Sequence, residues 1–189
     1  MTVQSILQRI AEGEPQAFAA LVALYEQPLF GFLGRMGLSQ AQAEDIAQET
    51  FLRAWTNLPS YDADKAQFGT WLFTIARHLA YNALQSAPQR NEVAGLDVEA
   101  LSAASGQPGP ANHFARSQQS AALQAALRQL PMADRSALAL VYVHELALAE
   151  VARIEGGTVA SIKTRLHRAK QKLRALLSDT LDLEIDDDA

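Results

Sequence analysis

The 189-residue chain contains no cysteine. That excludes an internal disulfide, a thiolate zinc site and a thiol redox switch. The first residues, MTVQSILQRIAEGE, carry acidic groups and lack the basic, apolar and small-residue regions of a signal peptide. No apolar run reads as approaching the ~20 residues needed to span a bilayer, so a cytoplasmic chain with no membrane insertion is expected. β-Branched residues are sparse and no Asn-Gly or Asp-Gly pair occurs, which leaves little signal for strands or hairpins. The four histidines, His78, His113, His144 and His167, share no metal-ligand spacing. No phosphate loop, nucleophile elbow or paired-histidine helix is present. The reading is therefore of a non-enzyme, with no catalytic residue, metal or cofactor assigned, and His144 beside Glu145 is taken as a helix-end residue.

What the chain has is apolar content, helical periodicity and uneven charge. Hydrophobic residues make up 49%, enough for packed cores rather than disorder, and the length suits one medium or two small helical domains. From Gln16 to Phe32, the residues Phe18, Leu21, Val22, Tyr25, Leu29 and Phe32 recur at helical steps, and Gly34 and Gly37 loosen the end. Ser39 with Gln42 fits a capping box that starts a second helix, running to about Leu58 before Pro59. The loop Ser60 to Gln67 leads to a third helix from Phe68 to Leu84. Between Ser86 and Ala115 the composition shifts to Ala, Ser, Gly, Pro and Gln, a linker too long for a connection within one compact domain. An amphipathic segment around Leu96 to Leu101 could order on a surface. Helices resume at Leu123, Leu127 and Leu130, then from Ala137 to Val143. An all-α fold of two small helical domains on a flexible tether is expected.

The segment Glu150 to Arg174 is the most informative. It reads as a short helix, a Gly156-Gly157 turn and a basic helix. The whole chain carries a formal charge of -5, yet Lys163, Arg165, Arg168, Lys170, Lys172 and Arg174 fall in one run without a carboxylate. A cationic run after a tight helical turn is how a helix-turn-helix offers its recognition helix to phosphates and the major groove. At about 100° per residue, Ile162, Leu166, Ala169 and Leu173 form an apolar stripe. Lys163, Thr164, His167, Arg168 and Gln171 face the other way, with Lys170 on the shoulder. Arg and Lys can pair with guanine acceptors or phosphate, Thr with a base edge or phosphate, and Gln with adenine. Thr158 is the expected N-cap, at a helix start that also suits phosphate. Arg165 lies nearer the buried side, where an internal partner such as Glu150 stands as an alternative to DNA.

The second helix has the opposite character. Ile46, Ala47, Phe51, Ala54 and Leu58 make its core stripe, while Asp45, Gln48, Glu49 and Thr56 surround Leu52 on the other face, with Trp55 at the edge. Carboxylates around an exposed leucine suit a partner helix bearing arginines. They equally suit a solvated face. In the third helix the aromatics Phe68, Trp71, Phe73 and Tyr81 read first as core. Trp71 and the loop before it could instead receive an unstacked base.

Three of these segments resemble motifs of the extracytoplasmic-function (ECF) sigma factors, small two-domain bacterial transcription initiation factors. Asp45-Ile-Ala-Gln-Glu-Thr-Phe-Leu-Arg-Ala-Trp55 is similar to the core-binding helix of region 2. Phe68-Gly-Thr-Trp-Leu-Phe-Thr-Ile-Ala-Arg77 is similar to the promoter-melting segment. Leu130-Pro131, Glu150-Val-Ala and Ile162-Lys-Thr-Arg-Leu-His-Arg-Ala-Lys170 are similar to region 4. The resemblance implies region 2 over residues 1–86, a linker over 87–115, a region 4 helix-turn-helix over 116–178 and an acidic tail over 179–189. It implies that Asp45, Gln48, Glu49 and Leu52 dock on core RNA polymerase. Tyr61, Asp62, Lys65, Trp71, Arg77 and His78 would melt and read the minus-ten element of promoter DNA. Thr158, Lys163, Thr164, His167, Arg168 and Lys170 would read the minus-thirty-five element. The linker would thread through the polymerase, and a cognate anti-sigma factor, often membrane-associated, would hold the protein inactive.

The chain departs from the family pattern at four places. His78 stands where Asn is common and Asn82 where Asp is frequent. Glu155 replaces a usual Leu, and Ala147 sits where Ser or Thr would cap, a loss of about 1 kcal/mol. Region 4 is accordingly expected to firm up on a partner. The tail carboxylates Asp179, Asp182, Glu184, Asp186, Asp187 and Asp188 are expected to repel phosphate or cover the basic helix. The alternative reading is a helix-turn-helix regulator that binds operators by itself. It explains Glu150 to Arg174 equally well, but neither the Asp45 face nor the long tether.

Overall fold

The computed structural model describes residues 2–86 and 122–186, the last stretch with side chains through residue 178. Every regular element among the described residues is helical. The linker from 87 to 115, with its Leu96 to Leu101 segment, lies outside them. The first lobe contains α1 (Val3–Ala11), a 3-10 turn (Pro15–Ala17), α2 (Phe18–Arg35), α3 (Gln40–Asn57) and α4 (Phe68–Ser86). The second contains α5 (122–129), α6 (Met132–Tyr142), α7 (Leu148–Glu155) and α8 (Val159–Asp186). Helix α8 thus runs on through residues 179–186, the start of the acidic tail.

Helix α1 has no counterpart in the sequence reading, although its signals are local. Val3, Ile6, Leu7 and Ile10 fall at helical spacing, and Thr2 and Ser5 cap it reciprocally. The Ser5 amide donates to Thr2 Oγ1 at 3.2 Å and the Thr2 amide to Ser5 Oγ at 3.1 Å. The capping box expected at α3 forms, with Gln42 N donating to Ser39 Oγ at 3.3 Å and Ser39 N to Gln42 Oε1 at 3.0 Å. The segment Pro15–Arg35, with mean hydropathy 1.3, is long and apolar enough to cross a membrane by length and composition. That corrects the expectation that no run approaches this size. In this fold it lays Leu21, Leu29, Phe32 and Leu33 into the core.

Among the described residues two apolar clusters form the core. The smaller joins Ile6, Ala17, Leu21, Ala54, Phe68 and Leu72 beneath α1. The larger runs without a break from Leu29, Phe32, Leu33, Met36 and Phe73 of the first lobe to Leu140, Val151, Ile154, Ile162 and Leu166 of the second. Each large side chain fully removed from water contributes roughly 1.5–3 kcal/mol, so the lobes share a core rather than only a tether. Helix α4 packs along α7, and α2 against α6. The missing cap at Ala147 is half replaced, because Glu150 Oε2 accepts from the Ala147 amide at 3.1 Å. Gly156, at φ +69, ends α7 in the left-handed conformation that glycine adopts without penalty.

Candidate functional site

Helix α8 buries Ile162, Leu166 and Ala169, which turns its other face outward. Thr158, Lys163, Thr164, His167, Arg168 and Lys170 are all exposed on it. The helix starts at a third reciprocal cap. Thr158 Oγ1 accepts from the Ser161 amide at 3.1 Å, and Ser161 Oγ accepts from the Thr158 amide at 3.0 Å. Thr164 donates back to the Ala160 carbonyl at 3.1 Å, and Lys170 Nζ lies 4.4 Å from the centre of the Tyr142 ring. Arg165 points elsewhere. Its internal partner is Glu155, at 2.7 Å, rather than Glu150.

On α3, burial of Ala43, Ile46, Ala47, Thr50 and Ala54 pushes Asp45, Gln48 and Leu52 into solvent, with Leu52 58% exposed. Glu49 is half-buried and pairs with Arg53 one turn on, at 2.6 Å. Thr50 lies on the core side because its hydroxyl donates to the Ile46 carbonyl at 2.6 Å, a self-satisfied polar group that an apolar pattern does not reveal. Trp55 remains partly exposed while its ring meets Phe18 edge-on, centroids 5.1 Å apart.

The six residues assigned to the minus-ten element divide into three groups. Tyr61 and Trp71 join Phe68 in an aromatic cluster, with centroids 5.2 to 5.7 Å apart, and Tyr61 Oη donates to the Ala66 carbonyl at 2.9 Å. Asp62 closes the loop, accepting from the Asp64 amide at 3.0 Å and pairing with Lys65 at 3.0 Å. The lysine hydrogen bond holds the Asp62 carboxyl below its ordinary pKa. His78 is exposed, whereas the Arg77 side chain is only 13% exposed and turns toward the second lobe.

That turn leads to residues the sequence reading did not connect. The fully buried Glu155 carboxylate accepts from Arg77 Nε at 2.9 Å, from Arg165 at 2.7 Å and from Ser136 Oγ at 2.6 Å. Arg77 also stacks over Tyr81 at 4.4 Å. Beside it, Thr70 donates to Glu150 Oε1 at 2.9 Å, and Arg153 donates to the Lys65 carbonyl at 2.9 Å. His144, just past α6, packs against Phe73 and Phe32 with centroids 4.8 and 6.2 Å away. Burial, helped by nearby Arg35, lowers its pKa to about 4. The helix-end residue is therefore an interlobe residue. The one available sequence signal was the carboxylate at 155 where the family pattern has leucine. Among the described residues no group of three or more His, Cys, Asp or Glu could hold a metal ion.

Comparison with known proteins gives the family of the two lobes. Residues 21–89 match Sigma-70 region 2, and residues 120–173 match Sigma-70, region 4. The chain is 31% identical over 185 residues to the ECF RNA polymerase sigma factor SigW of Bacillus subtilis, covering 95% of this chain and 98% of that one. Its fold is similar to CnrH in complex with the cytosolic domain of CnrY, at TM-score 0.67 and 23% identity, covering 92% of this chain and 96% of that one. It is also similar to the sigma factor RpoE in complex with the anti-sigma factor NepR from Bartonella quintana, at TM-score 0.63 and 22% identity, covering 85% and 96%. With both sigma regions present in order and a full-length relative above 30% identity, the chain belongs to the ECF RNA polymerase sigma factors, transcription initiation factors of two helical domains.

Proposed function

We propose that α3 docks this sigma factor on core RNA polymerase through Asp45, Gln48, Glu49 and Leu52, and that α8 reads the minus-thirty-five element. The observation that carries the docking assignment is an α3 face of acidic and amide groups around an exposed leucine, opposite buried Ala43, Ile46, Ala47, Thr50 and Ala54. Such a face gains most from a partner that desolvates Leu52 and supplies cations at its rim. On α8, Lys163, Arg168 and Lys170 supply phosphate and guanine contacts, with Thr158, Thr164 and His167 beside them. The loop from Tyr61 to Lys65, with Trp71, Arg77 and His78, takes the minus-ten strand. An anti-sigma factor is the regulatory partner, a reading supported by the CnrH–CnrY and RpoE–NepR complexes that share the fold. Work takes place in the cytoplasm, with the inactive complex held at the inner membrane face.

Binding to core polymerase tests the main assignment. The natural chain is expected to bind tightly and an Asp45→Arg/Glu49→Arg variant to lose that binding. Tight binding to duplex DNA alone, with none to polymerase, favours the stand-alone operator-binding regulator instead.

A further inference from the structure

The cation on α4 assigned to promoter DNA is already occupied. Arg77 is held by a carboxylate from the other lobe, at 2.9 and 3.2 Å. Among the described residues, the partners of Glu155 are Arg165 and Ser136 of its own lobe and Arg77, which crosses from the first. A carboxylate removed from water needs charge and hydrogen bonds around it, and two of the three groups remain when the lobes part. Among the described residues Arg77 then keeps Tyr81 beside it, and its guanidinium is released to suit a phosphate. The same closure ties Thr70 to Glu150 and the Lys65 carbonyl to Arg153. Helix α7 therefore covers the start of α4 and the loop before it.

We propose that Glu155 is an autoinhibitory latch: it competes with nucleic-acid phosphate for Arg77 and keeps the two lobes closed in the free protein. The inference rests on the reading that Arg77 faces promoter DNA. The absence of cysteine makes the test direct. Ala41→Cys on α3 and Lys172→Cys on α8, both exposed, take spin labels whose separation reports lobe opening. A labelled single-stranded oligonucleotide of random sequence, at low salt, reports phosphate binding by the full chain. If closure leaves about a tenth of molecules competent, the latch lowers apparent affinity about tenfold. Glu155→Leu and the gentler Glu155→Gln should lengthen the separation and strengthen oligonucleotide binding by about that factor. Adding Arg77→Ala to Glu155→Gln should abolish the gain. An unchanged separation in either folded variant overturns the latch. So does opening without tighter binding, or a gain that survives Arg77→Ala. The minus-ten reading fails separately, if polymerase carrying the Arg77→Ala chain opens a promoter as well as the natural one does.

Discussion

Lowering the pH should loosen the molecule through one histidine. His144 is pressed against Phe32 and Phe73, its Nε2 has no hydrogen-bond partner among the described residues, and its imidazole stays neutral down to about pH 4 against an ordinary 6.5. The unfolded chain takes up that proton near pH 6.5, so between the two values it binds more protons than the folded one. The stabilisation is fully present above 6.5, is lost as the pH falls through this window, and levels off below about 4. At 1.36 kcal/mol for each tenfold step in proton affinity, the loss between pH 7 and pH 5 is about 2 kcal/mol, approaching 3 by pH 4. Carboxylates titrate in the same range, so the informative quantity is the difference from His144→Leu, which removes the titrating group. Urea unfolding at pH 7 and pH 5 should show the natural chain losing about 2 kcal/mol more than the variant. Equal losses would refute the reasoning, as would a titration of His144 by NMR with a midpoint above 6.

Three further outcomes are expected. Arg168→Ala should weaken minus-thirty-five binding by about 1–3 kcal/mol if its contact is bidentate to guanine, and an unchanged promoter affinity would remove it from the site. Gly37 has φ +90, and a Cβ there would strike the Arg135 guanidinium of the second lobe. Gly37→Ala should cost about 1–2 kcal/mol in thermal or urea unfolding, and a neutral result would mean that this turn adapts. Deleting residues 179–189 should raise the free protein's affinity for promoter duplex at low salt by removing carboxylates that repel phosphate, whereas unchanged binding would count against masking by the tail.

Glu155 shows how a departure from a family pattern acquires meaning in three dimensions. Read alone, a glutamate in place of leucine in a helix-turn-helix is a buried polar liability. In the fold it is satisfied by Ser136, Arg165 and Arg77, and the cost of burying it becomes a link between the lobes. The weak start of α7 at Ala147 is answered similarly, since Glu150 both caps the helix and accepts from Thr70 of the first lobe. Both features tie region 4 to region 2 of the same chain.

By itself the sequence determined the helices, their inner stripes and the two outward faces. Those follow from short-range physics. Apolar residues at three- and four-residue steps define the buried side of α3 and α8, and Ser39–Gln42 and the Gly156 turn mark where helices begin and end. The order of three motifs was enough to indicate the family. Even α1 was locally encoded, in its Thr2–Ser5 cap. Only the tertiary structure decided that the lobes share one core, that Arg165 turns to Glu155, and that Arg77 and His144 lie at the lobe interface. These contacts join residues up to 88 positions apart. No periodicity or capping rule reaches so far along a chain; they exist because the helix faces left unburied by each lobe find each other.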